Sequence, residues 1–153
     1  METRDIITMS FKLHPKLAAD CYYLGDFSLS ALLLSKDANY PWYILVPRQA
    51  DISEAFQLSL IDQQTLQRES MQLSEALNNG FAADKMNIAA LGNMVPQLHL
   101  HHIVRYKTDA AWPNPIWGCV DAKTYSDSLL NERIDKTHQL LTPLGFTPPI
   151  TPS

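Results

Sequence analysis

The sequence predicts an α+β fold in which a mostly antiparallel β-sheet is accompanied by one long helix and a C-terminal helix. Two apolar runs, 28–37 and 42–48, are separated by a four-residue turn and predict an antiparallel hairpin. Residues 59–79 carry leucines at helical spacing, and further strand-like and helical runs follow. The order strands, helix, strands, helix is typical of α+β proteins.

The hairpin is predicted from its composition and its punctuation. The run "SLSALLLSKD" is apolar until the charged pair Lys36 and Asp37, where we expect the first strand to end. "ANYP" then turns the chain, and "WYILVPR" predicts a second strand closed by Pro47. Nearer the N-terminus, "HPK" predicts a turn at Pro15.

The long helix is predicted over 59–79. Its leucines make one stripe, which we interpret as core. Asp62 is a candidate N-cap, with Ser59 as the competing one. Asn78, Asn79 and Gly80 supply the stop signal.

The second half of the chain predicts two more strands and a helix. Residues 85–93 have strand character, Gly92–Asn93 interrupts it, and it resumes from Gln97 to about Tyr106. A helix is expected within 124–141, capped by Asp127, and the proline-rich tail should be irregular.

Composition excludes several function classes. The 153-residue chain has a net charge of -4, which argues against binding to duplex nucleic acid, although small nucleotides need only a few local cations. Cys21 and Cys119 have the spacing of neither a zinc knuckle nor a redox pair. Charged residues interrupt the start of the chain and no run reaches the ~20 apolar residues of a membrane span, so we expect a cytoplasmic protein.

The segment "VPQLHLHHIVR", 95–105, holds three of the five histidines. On a strand, alternate side chains share a face. One face would be polar and point toward a cleft or solvent; it comprises Gln97, His99, His101, Ile103 and Arg105. The other face is mostly apolar, so His102 is expected to lie in the core or at its boundary.

Three interpretations of the polar face stay open at this point. It can be a solvated strand face with incidental histidines. It can be a metal site, since two histidines at i and i+2 can supply two ligands, with Asp109 or His138 as candidate third ligands. It can also be a nucleophilic site, in which a neutral imidazole attacks phosphorus and forms a covalent phosphoramidate. Arg105 and Lys107 would then offset the phosphate charge.

The histidine segment resembles the signature of the histidine triad (HIT) superfamily, His-φ-His-φ-His-φ-φ, where φ is an apolar residue. Here it stands as Gln97-Leu98-His99-Leu100-His101-His102-Ile103 after "GNMVP", and "DANYPWYILVPR" is similar to the family's preceding hairpin. Glutamine at the first triad position resembles a bacterial subgroup, with similarity to diadenosine polyphosphate hydrolases. The resemblance implies a HIT-like domain at 1–110 and an extension at 111–153 that contains a helix and packs on the same domain.

The resemblance also implies roles for individual residues. His99 would be the nucleophile that attacks an α-phosphate, and His101 would support the leaving group or the bound phosphate. Gln97 takes the first catalytic position, where it can form hydrogen bonds but cannot change its protonation state. Asn93 and Asp37 are candidate nucleotide or phosphate contacts together with Arg105, and no residue is assigned to a metal.

The expected function is that of a nucleotide hydrolase or nucleotidyl transferase acting on dinucleoside polyphosphates or nucleoside phosphoramidates. The alternative is a nucleotide-binding regulatory protein with little catalysis, because the triad is incomplete. We expect no required cofactor, with Mg²⁺ at most accompanying the substrate. The expected partners are a nucleotide and a second copy of the chain, without duplex nucleic acid or membrane. Trp112 and Trp117, which flank two prolines, could stack on a base, seal a dimer interface or pack as a loop on the sheet.

Overall fold

Five strands form one antiparallel sheet in a computed structural model that describes residues 11–149. Their order across the sheet is β1-β2-β3-β5-β4. The strands are β1 Cys21–Asp26, β2 Ser30–Ser35, β3 Trp42–Pro47, β4 Lys85–Ala89 and β5 Leu100–Arg105. The α+β prediction with an antiparallel sheet is confirmed.

Three α-helices accompany the sheet: α1 Pro15–Asp20, α2 Leu60–Gly80 and α3 Asp127–Leu141. Short 3-10 helices lie at Ala55–Gln57 and Thr142–Leu144. The caps differ from the sequence expectation by one position or more. Ser59 rather than Asp62 caps α2, because its hydroxyl accepts the N–H of Asp62. Ser126 rather than Asp127 caps α3; in both cases the acidic residue occupies the first turn, where it favours the helix dipole. Among the helices within residues 11–149, none is both long enough and apolar enough to cross a bilayer.

The predicted hairpin is formed by β2 and β3, which pair antiparallel from Ser30 opposite Pro47 to Leu34 opposite Tyr43. Both strands are nearly continuous apolar runs because each lies inside the sheet and is covered on both faces. Strand β3 then pairs with β5, which places Ile44 beside His101. This register brings the hairpin against the histidine segment.

One face of the sheet carries the main core. Helices α2 and α3 cover it, and Leu73 and Leu77 of α2 pack with Leu45 and Val104 of the strands. Each such buried leucine contributes about 1.5–3 kcal/mol relative to an exposed one. The leucine stripe predicted for α2 is therefore core.

The other face of the sheet is covered in two separate places. At the α1 end, Leu17 and Cys21 pack on Leu33 and Ile44. At the far end of β5, the segment after the strand lies over Ile103. Between the two covers, part of the face stays open as a cavity.

The N-terminal elements differ from the sequence expectation. The turn predicted at Pro15 is wrong, because Pro15 is the first residue of α1 and His14 is its N-cap. Strand β1 follows α1 directly, and neither element was predicted. The tail forms a two-residue bridge in which Asp26 and Thr147 exchange backbone hydrogen bonds of 2.9 Å. Gly25 has φ +144, and a Cβ there would clash with the Thr147 carbonyl oxygen, so only glycine lets the tail approach this strand.

Candidate active site at the histidine strand

Strand β5 begins at Leu100, so the prediction that the strand starts at Gln97 is wrong by three residues. The alternation of faces nevertheless extends back to the loop. Leu98 packs with Leu66 on the helix side. His99 and His101 point to the opposite side, into the open part of the other face.

His99 and His101 line a cavity of about 400 Å³, which we call the histidine cavity. Their ring centroids lie 4.9 Å apart, and the residues are 5% and 6% exposed. Other walls come from Lys16 of α1, from Asn93 before the strand and from Trp42 of β3. The structure thus brings together three of the predicted site residues, His99, His101 and Asn93.

The tautomer of His99 is determined by its hydrogen bond to the backbone. Its Nδ1 lies 2.7 Å from the carbonyl oxygen of Gln97. Because a carbonyl can only accept, Nδ1 carries the proton. In the neutral imidazole, Nε2 then holds the free lone pair, which makes it the nucleophilic nitrogen.

His101 is held in the complementary tautomer. The indole N–H of Trp42 donates to Nδ1 of His101 at 2.9 Å. An indole nitrogen cannot accept, so the proton of the neutral His101 ring lies on Nε2. Burial is the main cause that lowers the pKa of His101 to about 3, and the neighbouring His99 and His102 lower it further. The site therefore pairs one imidazole that offers a lone pair with another that offers a neutral N–H.

His102 is buried on the helix side, as predicted. Its Nε2 lies 2.7 Å from the hydroxyl of Ser70 in α2, and its Nδ1 donates to the carbonyl of Leu100 at 3.0 Å. Burial lowers its pKa to about 4, against an upward contribution from the bond to Leu100. His102 thus links the sheet to α2 and takes no part in the cavity.

We expect the free energy of unfolding to fall as the pH drops from about 6.5 toward 4. The folded state keeps His101 and His102 neutral, with pKa values of about 3 and about 4, while the unfolded chain takes up protons below pH 6.5. Above that pH both states are neutral and the two residues contribute no pH dependence. The loss for each histidine is of the order of 2 kcal/mol between pH 6.5 and 4.5.

Urea unfolding at a series of pH values measures this effect. His102→Gln removes one of the two titrating groups and should flatten the curve below pH 6.5. An unchanged slope in this variant would show that His102 is not kept neutral by the fold.

The side chain of Gln97, predicted at the first catalytic position, is not among the residues that line the histidine cavity. Its amide oxygen accepts the N–H of His14 at 2.9 Å, and its amide nitrogen donates to the carbonyl of Lys12 at 2.9 Å. The side-chain amide of Gln97 therefore forms two hydrogen bonds with the backbone of the segment that precedes α1. The backbone carbonyl of the same residue holds His99. Gln97 contributes to the site by positioning, through its main chain.

We expect Gln97→Glu to lower the free energy of unfolding by about 1–3 kcal/mol, because a carboxylate cannot donate to the Lys12 carbonyl. Urea unfolding at pH 7 measures the loss, and hydrogen exchange of the His14 amide reports the local opening. Gln67→Glu, on the exposed side of α2, is the matched control and should stay within about 0.5 kcal/mol of the parent. Equal effects of the two substitutions would show that the hydrogen bonds of the Gln97 amide do not stabilise the fold.

Arg105, predicted as a phosphate contact, is buried and is not among the residues that line the histidine cavity. The residue is 1% exposed, and its guanidinium donates to both carboxylate oxygens of Asp109 at 2.8 and 3.1 Å and to Asn87 at 2.7 Å. The aromatic rings of Tyr40 and Trp112 lie within 6 Å of its carbon Cζ. The guanidinium thus forms its hydrogen bonds with other side chains of the protein, and Arg105 stabilises the segment that follows β5.

Asp37, predicted as a nucleotide or phosphate contact, forms hydrogen bonds within the protein. Its Oδ1 accepts from the backbone N–H and the side-chain amide of Asn39 and from the backbone N–H of Lys123. It ties the turn between β2 and β3 to residues 121–123, at the rim of a neighbouring cavity. Asp37 is not among the residues that line the histidine cavity.

The candidate third metal ligands lie elsewhere. Asp109 is occupied by Arg105, and Nε2 of His138 lies 3.3 Å from the carbonyl of Leu24. In the described residues, 11–149, no group of three His, Cys, Asp or Glu side chains is placed to hold a metal ion.

The sequence interpretation missed Trp42, and it left the role of Trp117 open. Trp42 pairs across the sheet with Ile103 and reaches His101 on the same face. The rings of Trp117 and His101 form a T-shaped contact with their centroids 5.0 Å apart, whereas Trp112 packs on Arg105. The sequence held no local signal for Trp42, because its contact with His101 depends on the pairing of β3 with β5.

The chain is similar to a known family model and to several solved structures. The HIT domain family model matches residues 16–108. A histidine triad protein from Marinobacter aquaeolei VT8 is 49% identical, with a TM-score of 0.85 over 88% of this chain and 98% of that one. A histidine triad protein from Bradyrhizobium japonicum is 42% identical, with a TM-score of 0.84 over 85% and 97%. One from Sinorhizobium meliloti is 36% identical, with a TM-score of 0.84 over 87% and 98%. A search of curated proteins found no match.

Proposed function

The chain belongs to the HIT domain family, and from this premise we propose that it cleaves nucleotides at the α-phosphate through a covalent nucleotidyl-His99 intermediate. Proteins of this family generally bind or hydrolyse nucleotides. The observation that carries the proposal is the complementary tautomer pair, in which His99 offers a lone pair at Nε2 and His101 offers an N–H beside it. The substrates are dinucleoside polyphosphates or nucleoside phosphoramidates.

In the first step, the lone pair of His99 Nε2 attacks the α-phosphorus. A P–N bond forms as the bond from phosphorus to the leaving group breaks, and the electron pair departs with the leaving group. The amine of a phosphoramidate takes up a proton from solvent as it departs. Positive charge then builds on the His99 ring, and the Gln97 carbonyl at 2.7 Å from Nδ1 stabilises it.

In the second step, water adds to phosphorus and displaces His99. The mononucleotide is released, and the proton of the water passes to solvent. His101 is neutral in the free protein, because burial lowers its pKa to about 3, and in this proposal it donates its Nε2–H to a phosphoryl oxygen in both steps. Transfer to an acceptor other than water would give a nucleotidyl transferase by the same route.

The negative charge of the phosphate needs donors other than Arg105. Asn93 and Lys16, which line the histidine cavity with His101, supply them in this proposal. The Lys16 ammonium forms an exposed ion pair with Asp20 at 2.9 Å, and in this proposal it exchanges that partner for a phosphate oxygen. No cofactor enters either step; Mg²⁺, where it takes part, accompanies the polyphosphate.

A rapid-quench experiment tests the mechanism. Diadenosine tetraphosphate or adenosine 5′-phosphoramidate, labelled at the α-phosphate, should leave protein-bound label that is stable in base and lost in acid, as expected of a phosphoramidate. The label should be absent in His99→Asn and retained in His138→Asn, which alters a histidine outside the cavity. Turnover without any trapped label, even in single-turnover conditions, would contradict the covalent route. Binding without turnover would instead indicate a nucleotide-binding protein.

We also propose that the chain forms a homodimer and acts in the cytoplasm. Strand β4 is an edge of the sheet, and Ile88 on it is exposed, as are Leu91 and Met94 just beyond. Such an edge can pair with another strand. Light scattering after size exclusion should give twice the 17.3 kDa chain mass, and Ile88→Lys should shift the protein toward the monomer.

A further inference from the structure

Two tryptophans contact the His101 ring, but they do so in different ways. The indole N–H of Trp42 donates to Nδ1 at 2.9 Å, with the two ring centroids 5.7 Å apart. Trp117 meets the same ring edge-on at 5.0 Å, and within residues 11–149 it forms no hydrogen bond with it. Trp42 is therefore the residue that determines the hydrogen bonding of Nδ1.

The indole of Trp42 is held in place by the fold. Trp42 is the first residue of β3, where it pairs with Ile103 of β5. It also packs against two buried clusters, one that contains Ile44 and one that contains Tyr40. The N–H is thus preorganised beside Nδ1 by contacts that do not involve the histidine.

This bond disfavours the charged form of His101. An imidazolium carries a proton on each ring nitrogen, so Nδ1–H and the indole N–H of Trp42 would face each other 2.9 Å apart. A histidine that transfers protons in a catalytic triad instead has a carboxylate acceptor at this second nitrogen. Burial also penalises the charged ring and lowers the pKa of His101 to about 3. Hydrogen bonding and burial therefore act in the same direction.

The titratable groups around His101 in the described chain do not reverse this effect. They are two histidines of the same segment, one thiol and one ion pair: His99, His102, Cys21, Lys16 and Asp20. The two histidines lower the pKa of His101 further. The thiol is neutral, because burial is the main cause that raises its pKa to about 12. None of these groups places an acceptor at Nδ1, since the indole of Trp42 occupies that position.

We propose that Trp42 is a positioning residue that keeps His101 from transferring protons, so that the site selects leaving groups by their acidity. This inference rests on the proposed function, because it concerns the first step at His99. As His99 Nε2 attacks the α-phosphorus, the P–O bond breaks and the leaving oxygen departs as an anion with the electron pair. His101 keeps its Nε2 proton and binds a phosphoryl oxygen. Leaving groups that are stable as anions depart fast, and more basic ones depart slowly.

Nitrogen NMR of the histidine rings tests the hold of Trp42 on His101 without any substrate. In the isotopically labelled parent, Nε2 of His101 should carry the proton and Nδ1 none over the range of about pH 5 to 8. Trp42→Phe should lose this pattern, because both tautomers become accessible and the ring takes up a proton at a higher pH. Trp117→Phe alters the other tryptophan at the same ring and should keep the parental pattern. A proton on Nδ1 of His101 in the parent would overturn the proposal.

Aryl esters of adenosine 5′-monophosphate test the consequence for the reaction. Substituted phenols vary the acidity of the leaving group while the adenylyl half stays the same. In single turnovers of the parent, phenolate release should slow about tenfold for each unit by which the pKa of the phenol rises, as expected when no acid assists departure. Trp42→Glu offers Nδ1 an acceptor in place of a donor, and the dependence should fall to about threefold or less per unit. Trp42→Phe, which offers no acceptor, is the control and should keep the steep dependence at a lower rate.

The two measurements separate failure of this inference from failure of the proposed function. If the parent releases phenolate from none of the esters while the NMR pattern depends on Trp42, the function is wrong. The hold of Trp42 on His101 then stands, and its consequence for leaving groups falls with the function. If the esters are cleaved at rates nearly independent of phenol acidity, or if Trp42→Phe leaves the His101 tautomer unchanged, the inference is overturned and the proposed function stands.

Discussion

Replacing His99 with asparagine is expected to lower kcat by roughly four orders of magnitude, with KM changed only a few-fold. Removing a nucleophile eliminates the covalent route and leaves only positioning and electrostatic stabilisation, as in other enzymes with a covalent intermediate. Asparagine preserves the size and polarity of the site, so the cavity should still bind the nucleotide. Steady-state kinetics with diadenosine tetraphosphate, at saturating substrate, measures the loss.

Three further variants make the His99 result specific. His101→Asn should cost about a hundredfold, the usual effect of losing one donor to a developing negative charge. Trp42→Phe removes the N–H that holds the tautomer of His101 and should lower kcat with little effect on KM. His138→Asn should match the parent. A His99 variant that retained more than about one-tenth of the parent kcat would eliminate the nucleophilic role and with it the proposed function.

Replacing Asp109 with asparagine is expected to lower the free energy of unfolding by about 3–5 kcal/mol, since it leaves the buried guanidinium of Arg105 without its counter-charge. The two side chains are only 2% and 4% exposed. Burial alone would raise the pKa of Asp109, but the hydrogen bonds from Arg105 and from the backbone of Tyr106 and Ala111 outweigh it and hold the pKa below its usual value. An asparagine amide would direct an N–H toward one of these donors.

Urea unfolding at pH 7 measures this cost, and an exposed ion pair provides the control. The ion pair of Lys16 and Asp20 is 2.9 Å long, close to the 2.8 Å between Arg105 and Asp109. The side chains of Lys16 and Asp20 are, however, 52% and 58% exposed. Asp20→Asn should therefore cost less than about 1 kcal/mol. Adding Arg105→Met to Asp109→Asn should recover part of the stability, because it removes the unpaired charge. Equal costs for Asp109→Asn and Asp20→Asn would show that burial does not determine the strength of this pair.

Sequence patterns predicted the elements whose periodicity extends over several residues. Helix α2 presents leucines at helical spacing over most of its 21 residues, and the β2–β3 hairpin is marked by a short polar turn between apolar runs. Helix α1 has only six residues, too few for a periodic signal, and β1 "CYYLGD" mixes aromatic, glycine and acidic residues. Both form because the neighbouring strand β2 offers backbone partners and an apolar surface, which a local pattern does not contain.

By itself, the sequence determined the α+β class, the placement of His99 and His101 on one face, and the burial of His102 on the other, because alternation along an extended chain depends only on backbone geometry. Tertiary structure alone decided which parts of that face stay open. The segment after β5 covers Arg105 and directs its charge to Asp109, and the N-terminal segment takes up the Gln97 amide. It also assigned the two tautomers, since Trp42 and the Gln97 carbonyl are brought to the rings by strand register and loop geometry. The physical reason is that a pattern specifies the direction of a side chain, whereas its partner comes from a distant part of the chain.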